Sequence, residues 1–203
     1  VVQTWPLSQI GVQVAVSDDG SMLYCATSDS VWRFNFGTQS FDLKFGHQLP
    51  DNQWQYYHSG MLVLPDHPET VIANWQRTDA GSYRTLAVYD NGVLRPNTAE
   101  RFTNYGAITI DGTTVYAYDT YSSGSNIYPL TLDANGLTPR PEQYYYVRGA
   151  IDYFDGRLYG IDGTVVNVNG AGGVLNQAGH LFTRANTLLR VAHWAPGSDT
   201  LFV

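Results

Sequence analysis

The side chains able to do covalent or metal chemistry are few and scattered. Five histidines, His47, His58, His67, His180 and His193, show no H-x-H or H-x-x-x-H spacing, whereas a metal centre needs closely spaced His, Cys or carboxylate ligands. No metal site is expected of them. The single cysteine, Cys25, cannot close an internal disulfide, and beside Tyr24 in an apolar run it reads as a small core hydrophobe. There is no G-x-S-x-G elbow for a nucleophilic serine and no G-x-x-x-x-G-K-S/T phosphate loop. The run Gly170-Ala171-Gly172-Gly173 follows a strand-like segment without opening a helix, and reads as a loose hairpin. Ser17-Asp18-Asp19-Gly20, and Asp119 near Ser122 and Ser123, offer oxygen ligands that would admit calcium. Turn chemistry is the preferred reading, since Asp and Gly are favoured in turns for backbone reasons. The spacing is also not that of the S-x-D-x-G-x-T-W box of glycosidases. No cofactor is expected beyond that opening for calcium, and no catalytic constellation emerges.

The elements that must carry these residues repeat. A short apolar strand, a tight Asp/Gly/Pro turn and a second strand with an aliphatic-aromatic pair recur as VQVAVSDDGSMLYCAT from Val12, MLVLPDHPETVIANW from Met61, AITIDGTTVYAYDT from Ala107, AIDYFDGRLYGI from Ala150 and VAHWAPGSDTLFV from Val191. Aligned on Leu23, Val71, Val115, Leu158 and Leu201, successive units are separated by 71−23=48, 115−71=44, 158−115=43 and 201−158=43 residues. Each unit adds a hairpin. In the first, Trp32, Phe34 and Phe36 alternate with Arg33 and Asn35, and Phe41, Leu43 and Phe45 alternate with Asp42 and Lys44, the period of half-buried strands. Its counterparts turn at Asp90-Asn91-Gly92, Asn135-Gly136 and around Asn169-Gly170, where Asn-Gly tolerates positive φ at both central positions.

Four strands per repeat of about 45 residues is the pattern of a β-propeller blade. No segment carries an uninterrupted amphipathic helix period, so the expected fold class is all-β, a propeller of four-stranded antiparallel blades with about four and a half blades. A sandwich would not return the same cassette at a constant interval. The repeats fall at about 11–56, 57–103, 104–147, 148–186 and a partial 187–203, which residues 1–8 would help to complete through the outer strand Val2-Gln3-Thr4-Trp5. Two arrangements stay open: a small five-bladed ring, or part of a larger propeller. An incomplete array would need a partner chain or self-association to cover its apolar faces.

In such an array, the loop entering each innermost strand and the loop joining second to third strands share one rim. The entry loops are aromatic-rich, with Trp54, Tyr56, Tyr57 and His58 before the second unit, Phe102 and Tyr105 before the third, and Tyr144, Tyr145, Tyr146 and Arg148 before the fourth. The other loops add Asp29, Arg77, Asp79, Tyr121 and Asp162. Rings with a few charged groups suit recognition of a protein segment or a glycan. The candidate ligand-binding set is Trp54, Tyr57, His58, Arg77, Asp79, Tyr105, Tyr121, Tyr145, Arg148 and Asp162. The competing reading packs these rings between blades.

Composition narrows the partners. The chain has 203 residues, 43% hydrophobic and only 14% charged, against ~25% charged in ordinary soluble domains, so disorder is excluded. Eleven basic and 18 acidic residues give a net charge of −7, with Lys44 the one lysine. A cationic stripe for a phosphate backbone is missing, and nucleic-acid binding is not expected. No apolar run approaches the ~20 residues of a membrane span. The opening Val1-Val2-Gln3 carries no initiator Met or signal pattern, as expected of a processed or excised segment. Scarce lysine with abundant Tyr, Thr, Asn and Gly points to an exported protein: secreted, periplasmic or at the cell surface.

The first unit resembles the YVTN-type propeller repeat of bacterial and archaeal surface-layer and periplasmic proteins. Val14, Val16, Ser17, Asp19, Gly20, Leu23 and Tyr24 match its G-V-A-V-S-x-D-G-x-x-L-Y pattern in place, with Gly11 two residues ahead of the pattern's glycine, while Cys25 and Ala26 replace its Val-Thr. The resemblance implies a propeller, an exported setting and, since seven blades are usual in that family, a partial ring. It implies no catalytic residues. The expected function is a non-enzymatic binding scaffold for a protein or glycan. The alternative is a propeller enzyme of lactonase, lyase or quinoprotein type, with Asp162, His58 and Asp79 converging at the mouth of the central channel.

Overall fold

The computed structural model describes residues 13–50, 55–79, 83–101, 105–119, 126–141, 151–168 and 175–180. Among these every regular element is a strand. The first sheet contains β1 (Gln13–Val16), β2 (Met22–Ala26), β3 (Val31–Asn35) and β4 (Ser40–Phe45), hydrogen-bonded in chain order. In the second, β5 (Tyr56–Leu64), β6 (His67–Arg77) and β7 (Arg84–Asp90) are followed by β8 (Val93–Leu94) and β9 (Ala99–Arg101), which both pair with β7. The third holds β10 (Tyr105–Asp111), β11 (Thr114–Asp119), β12 (Ile127–Asp133) and β13 (Gly136–Pro139). The fourth holds β14 (Ile151–Phe154), β15 (Arg157–Gly160), β16 (Thr164–Val168) and β17 (Leu175–His180). The expected fifth repeat at 187–203, the strand Val2–Trp5 and the hairpin near Asn169-Gly170 lie outside the described residues.

The repeat read from the sequence is a repeat of register. Leu23, Val71, Val115 and Leu158 all sit on the second strand of their sheet. Across the first strand they face Val16, Val63, Ile110 and Tyr153. Across the third they face Phe34, Tyr89, Leu130 and Val166. Tight turns keep that register. Asn91 and Gly92 have φ of 44° and 77°, and Asp155 and Gly156 have 45° and 72°, the two positive φ values that a twisted two-residue hairpin requires.

Contacts divide the chain into two compact units, 1–100 with 134–136, and 101–133 with 137–203. In the first unit Tyr24, Ala26, Val31 and Phe45 of sheet one pack on Met61, Val63, Val71, Ala73 and Trp75 of sheet two. Two hydrogen bonds tie the turns of these sheets, from Tyr24 Oη to the Pro68 carbonyl at 2.8 Å and from the Asp66 N–H to Asp18 Oδ2 at 2.9 Å. In the second unit Tyr116, Tyr118 and Ile127 of sheet three pack on Ile151, Leu158, Val166 and Leu175 of sheet four. In each unit a continuous apolar seam forms where one sheet covers the next, and sheets that bury both faces read as aromatic and aliphatic on both.

Two expectations need correction. The alternation in the first repeat sets an apolar row, Trp32, Phe34 and Phe36, against a polar one, yet Arg33 of the polar row is on the side of the seam, 8% exposed, while in the apolar row Phe34 is buried but Phe36 is 43% exposed, and Val14 and Val16 more so. Arg33 is held there because its guanidinium reaches both Asp42 oxygens, at 2.9 and 3.1 Å, and Asn91 Oδ1 at 2.7 Å. The second correction concerns Tyr56, Tyr57 and His58. They are not loop residues: β6 is 11 residues long, and its end from Trp75 to Arg77 draws them into β5 as strand partners. Tyr105 likewise opens β10 instead of preceding it.

Candidate functional site

Three connections of the first unit meet around one cavity. The β2–β3 loop supplies Ser28 and Asp29, and the β4–β5 connection supplies Gly46, His47, Gln48 and Gln55. Tyr56 and Tyr57 at the start of β5 and Thr78 after β6 complete the lining of an open cavity of about 760 Å³. Volumes of roughly 300–1,000 Å³ are those of small-ligand sites. Backbone hydrogen bonds fix these connections to one another, from the His58 N–H to the Ser28 carbonyl at 2.9 Å and from the Thr78 N–H to the Gln55 carbonyl at 2.9 Å. A rim of entry loop and second-to-third-strand loop is therefore present within this unit.

Beneath the lining lies an aromatic floor. The His47 ring packs on Tyr56 with centroids 4.8 Å apart and on Trp75 at 6.1 Å, and His58 stands edge-on to Trp75 at 5.6 Å. The Tyr89 hydroxyl donates to the His47 carbonyl. Burial lowers the pKa of both imidazoles, that of His58 to about 4. Neither His58 nitrogen has a hydrogen bond of normal geometry, and contact with the Gly60 backbone offsets only part of the burial effect. Both rings are consequently neutral at pH 7. Leu49 donates its N–H to His47 Nδ1 at 3.1 Å, which places the His47 proton on Nε2.

The sequence-derived candidates fall into three groups. Tyr57 lines the cavity. Arg77 and Asp79 border it through Thr78 but are tied to each other, Nε to Oδ1 at 3.0 Å and Nη2 to Oδ2 at 2.8 Å, with the guanidinium over the Tyr83 ring at 4.7 Å. His58 is 4% exposed and lies in the packing between sheets. Asp162 belongs to the second unit, where its Oδ1 accepts the Thr164 N–H at 3.0 Å in the β15–β16 turn. Of Tyr105 the backbone alone is described, and Trp54, Tyr121, Tyr145 and Arg148 lie outside the described residues. His47, Gln48, Gln55 and Thr78 were not singled out from the sequence. The one available signal was position, since all four belong to the connections expected at the rim.

Among the described residues no group of three or more His, Cys, Asp or Glu side chains is placed to hold an ion. The Ser17–Gly20 segment is a built turn: Asp19 Oδ1 accepts from Ser17 Oγ at 2.6 Å and from the Ser21 N–H at 2.9 Å. Those donors hold the Asp19 carboxyl below its usual pKa, so its charge is already served inside the turn.

Four antiparallel sheets, each with its strands hydrogen-bonded in chain order, define the class as a β-propeller. No protein-family model and no curated protein matches the sequence. Solved structures that are β-propeller-like do match the fold. A functionally unknown protein from Desulfotomaculum acetoxidans has a TM-score of 0.60 at 16% identity, with 87% of this chain and 58% of that one covered. A calcium-binding protein, regucalcin, from Agrobacterium tumefaciens gives 0.53 at 17% identity, covering 87% and 60%. A putative 6-phosphogluconolactonase from Bacteroides fragilis gives 0.51 at 16%, covering 82% and 52%. The chain thus spans between about half and three-fifths of the length of these structures, and the likeness is one of fold.

Proposed function

We propose that this chain is an exported, non-enzymatic binding module built on YVTN-like propeller repeats, recognising a protein segment or a glycan through the rim that carries Tyr57. The observation that carries the reading is the cavity of about 760 Å³ bounded by Asp29, His47, Gln55, Tyr56 and Tyr57. It combines flat apolar area with directional polar groups. Alanine substitutions at Tyr57, Tyr121 and Tyr145 test it: weakened partner binding with unchanged folding is the expected result. Unfolding of all three variants would return these rings to the core.

The exposed Val14, Val16 and Phe36 favour a second element of the reading, that a partner chain or a second copy covers that face as part of a larger propeller assembly. The solution mass of the purified chain tests it. The enzymatic alternative draws its support from the neighbours titled as a putative lactonase and a calcium-binding protein. Metal content of the purified chain separates the two, since bound calcium or a transition metal favours the enzyme.

A further inference from the structure

We infer that the cavity between the first two sheets takes a neutral carbohydrate and rejects phosphorylated and carboxylate-bearing sugars. The inference rests on the proposal that this rim is a binding site, and narrows its ligand to one chemical class.

Charge decides against anions. None of the described lining residues is Lys or Arg, and one, Asp29, is a carboxylate. Anion sites are built from Arg or Lys, or from converging backbone N–H groups. The guanidinium of Arg77, which precedes the lining residue Thr78, is held bidentately by Asp79 and stacked on Tyr83, so its charge is neutralised where it stands. His47 adds no positive charge, because burial depresses its pKa and its Nδ1 already accepts the Leu49 N–H. The net charge of −7 adds a field that repels anions.

The polar groups that remain suit hydroxyls. Ser28 and Thr78 carry hydroxyls that donate and accept, the Gln55 amide does both, Asp29 accepts, and the His47 tautomer leaves Nε2–H as a donor. A pyranose presents the same mixture around its ring edge and an apolar C–H face to an aromatic plane. An organic cation would need several open ring faces, but Tyr56 is 7% exposed and packed on His47, which leaves Tyr57 as the half-exposed ring among the described lining residues.

The test uses the 203-residue chain on a glycan array carrying neutral, sialylated, sulfated and uronate oligosaccharides. Titration calorimetry then compares a neutral hit with glucose 6-phosphate, galacturonate and a tetralysine peptide. Binding confined to neutral glycans is expected, weakened tenfold or more in Tyr57→Ala and in the surface variant Gln55→Ala. Thr78→Lys should bring in glucose 6-phosphate or galacturonate. Wild-type binding of anionic sugars at this rim overturns the ligand class while the binding-site reading stands, and so does tight binding of tetralysine. Absence of any binding, or neutral-glycan binding that neither Tyr57→Ala nor Gln55→Ala alters, overturns the carbohydrate inference and with it the glycan half of the binding-site reading, leaving the protein-segment half to the Tyr57, Tyr121 and Tyr145 variants.

Discussion

The imidazole of His58 stands perpendicular to the indole of Trp75, at 88° and 5.6 Å between ring centroids, and both rings are sealed between the first two sheets. Burial pushes the His58 pKa down to about 4. The folded protein therefore keeps this ring neutral, while the unfolded chain takes up its proton near the ordinary ~6.5. The unfolded state binds more protons between those two values, so stability is full above about pH 6.5 and falls as pH drops toward 4. The single site accounts for about 3 kcal/mol across that window. Urea unfolding at pH 7.0, 5.5 and 4.5 should show the decline, with His47 contributing in the same direction. His58→Phe should flatten most of it; an unchanged pH slope in that variant would place the titration elsewhere.

Arg33 offers a second measurable contact. Its side chain bridges Asp42 on the neighbouring strand and Asn91 in the β7–β8 turn of the next sheet. The guanidinium holds the Asp42 carboxyl below its usual pKa. That contribution is present above pH ~4 and lost as pH falls further, a window distinct from that of His58. Asp42→Ala leaves a mostly buried guanidinium without its counter-charge, and should cost about 2 kcal/mol in denaturant unfolding. Arg33→Met, which removes the charge and keeps the stem, should cost less.

The same residue shows where sequence reading stops. The interval between Leu23, Val71, Val115 and Leu158 was legible because each position must meet apolar partners on both flanking strands, so the repeat is written in residue type. The alternation of Trp32, Phe34 and Phe36 with Arg33 identified a strand correctly, but a period of two marks two faces without saying which one another sheet will cover. Arg33 enters the seam because Asp42 and Asn91, 9 and 58 residues away, supply its partners. The cavity was legible only as a rim. Tyr57 could be found as an aromatic in an entry segment, whereas His47 and Gln55 become lining residues through the β4–β5 connection, which has no periodicity. His58 looked equivalent to Tyr57 in the sequence, and β6 pairing turned it inward.

Gly136 should tolerate nothing larger. Its φ is 122°, and a Cβ placed there would lie 2.1 Å from the Asn97 carbonyl oxygen, where the Asn97 N–H already donates to the Asn135 carbonyl at 2.7 Å. Gly136→Ala must displace backbone and should destabilise by about 3 kcal/mol or more. Gly112, also at positive φ but with nothing within 4 Å of the same construction, is the control. Gly112→Ala should cost only about 1 kcal/mol of backbone strain. Thermal unfolding of the two variants side by side reads the difference, and equal losses would refute the close approach at Asn97.

Cys25 tests whether the first sheet stays closed on its weaker face. The thiol is 6% exposed on β2, across from Val14 and Trp32, and burial raises its pKa. At pH 7 the reactive thiolate is therefore scarce and shielded. Labelling with a thiol reagent such as dithionitrobenzoate should be slow in the native protein and should accelerate in step with unfolding as denaturant is added. Cys25→Ala should cost about 1 kcal/mol for the lost contacts, with labelling abolished. Rapid stoichiometric labelling without denaturant would mean that β1, whose Val14 and Val16 face solvent, opens away from β2 in the folded state.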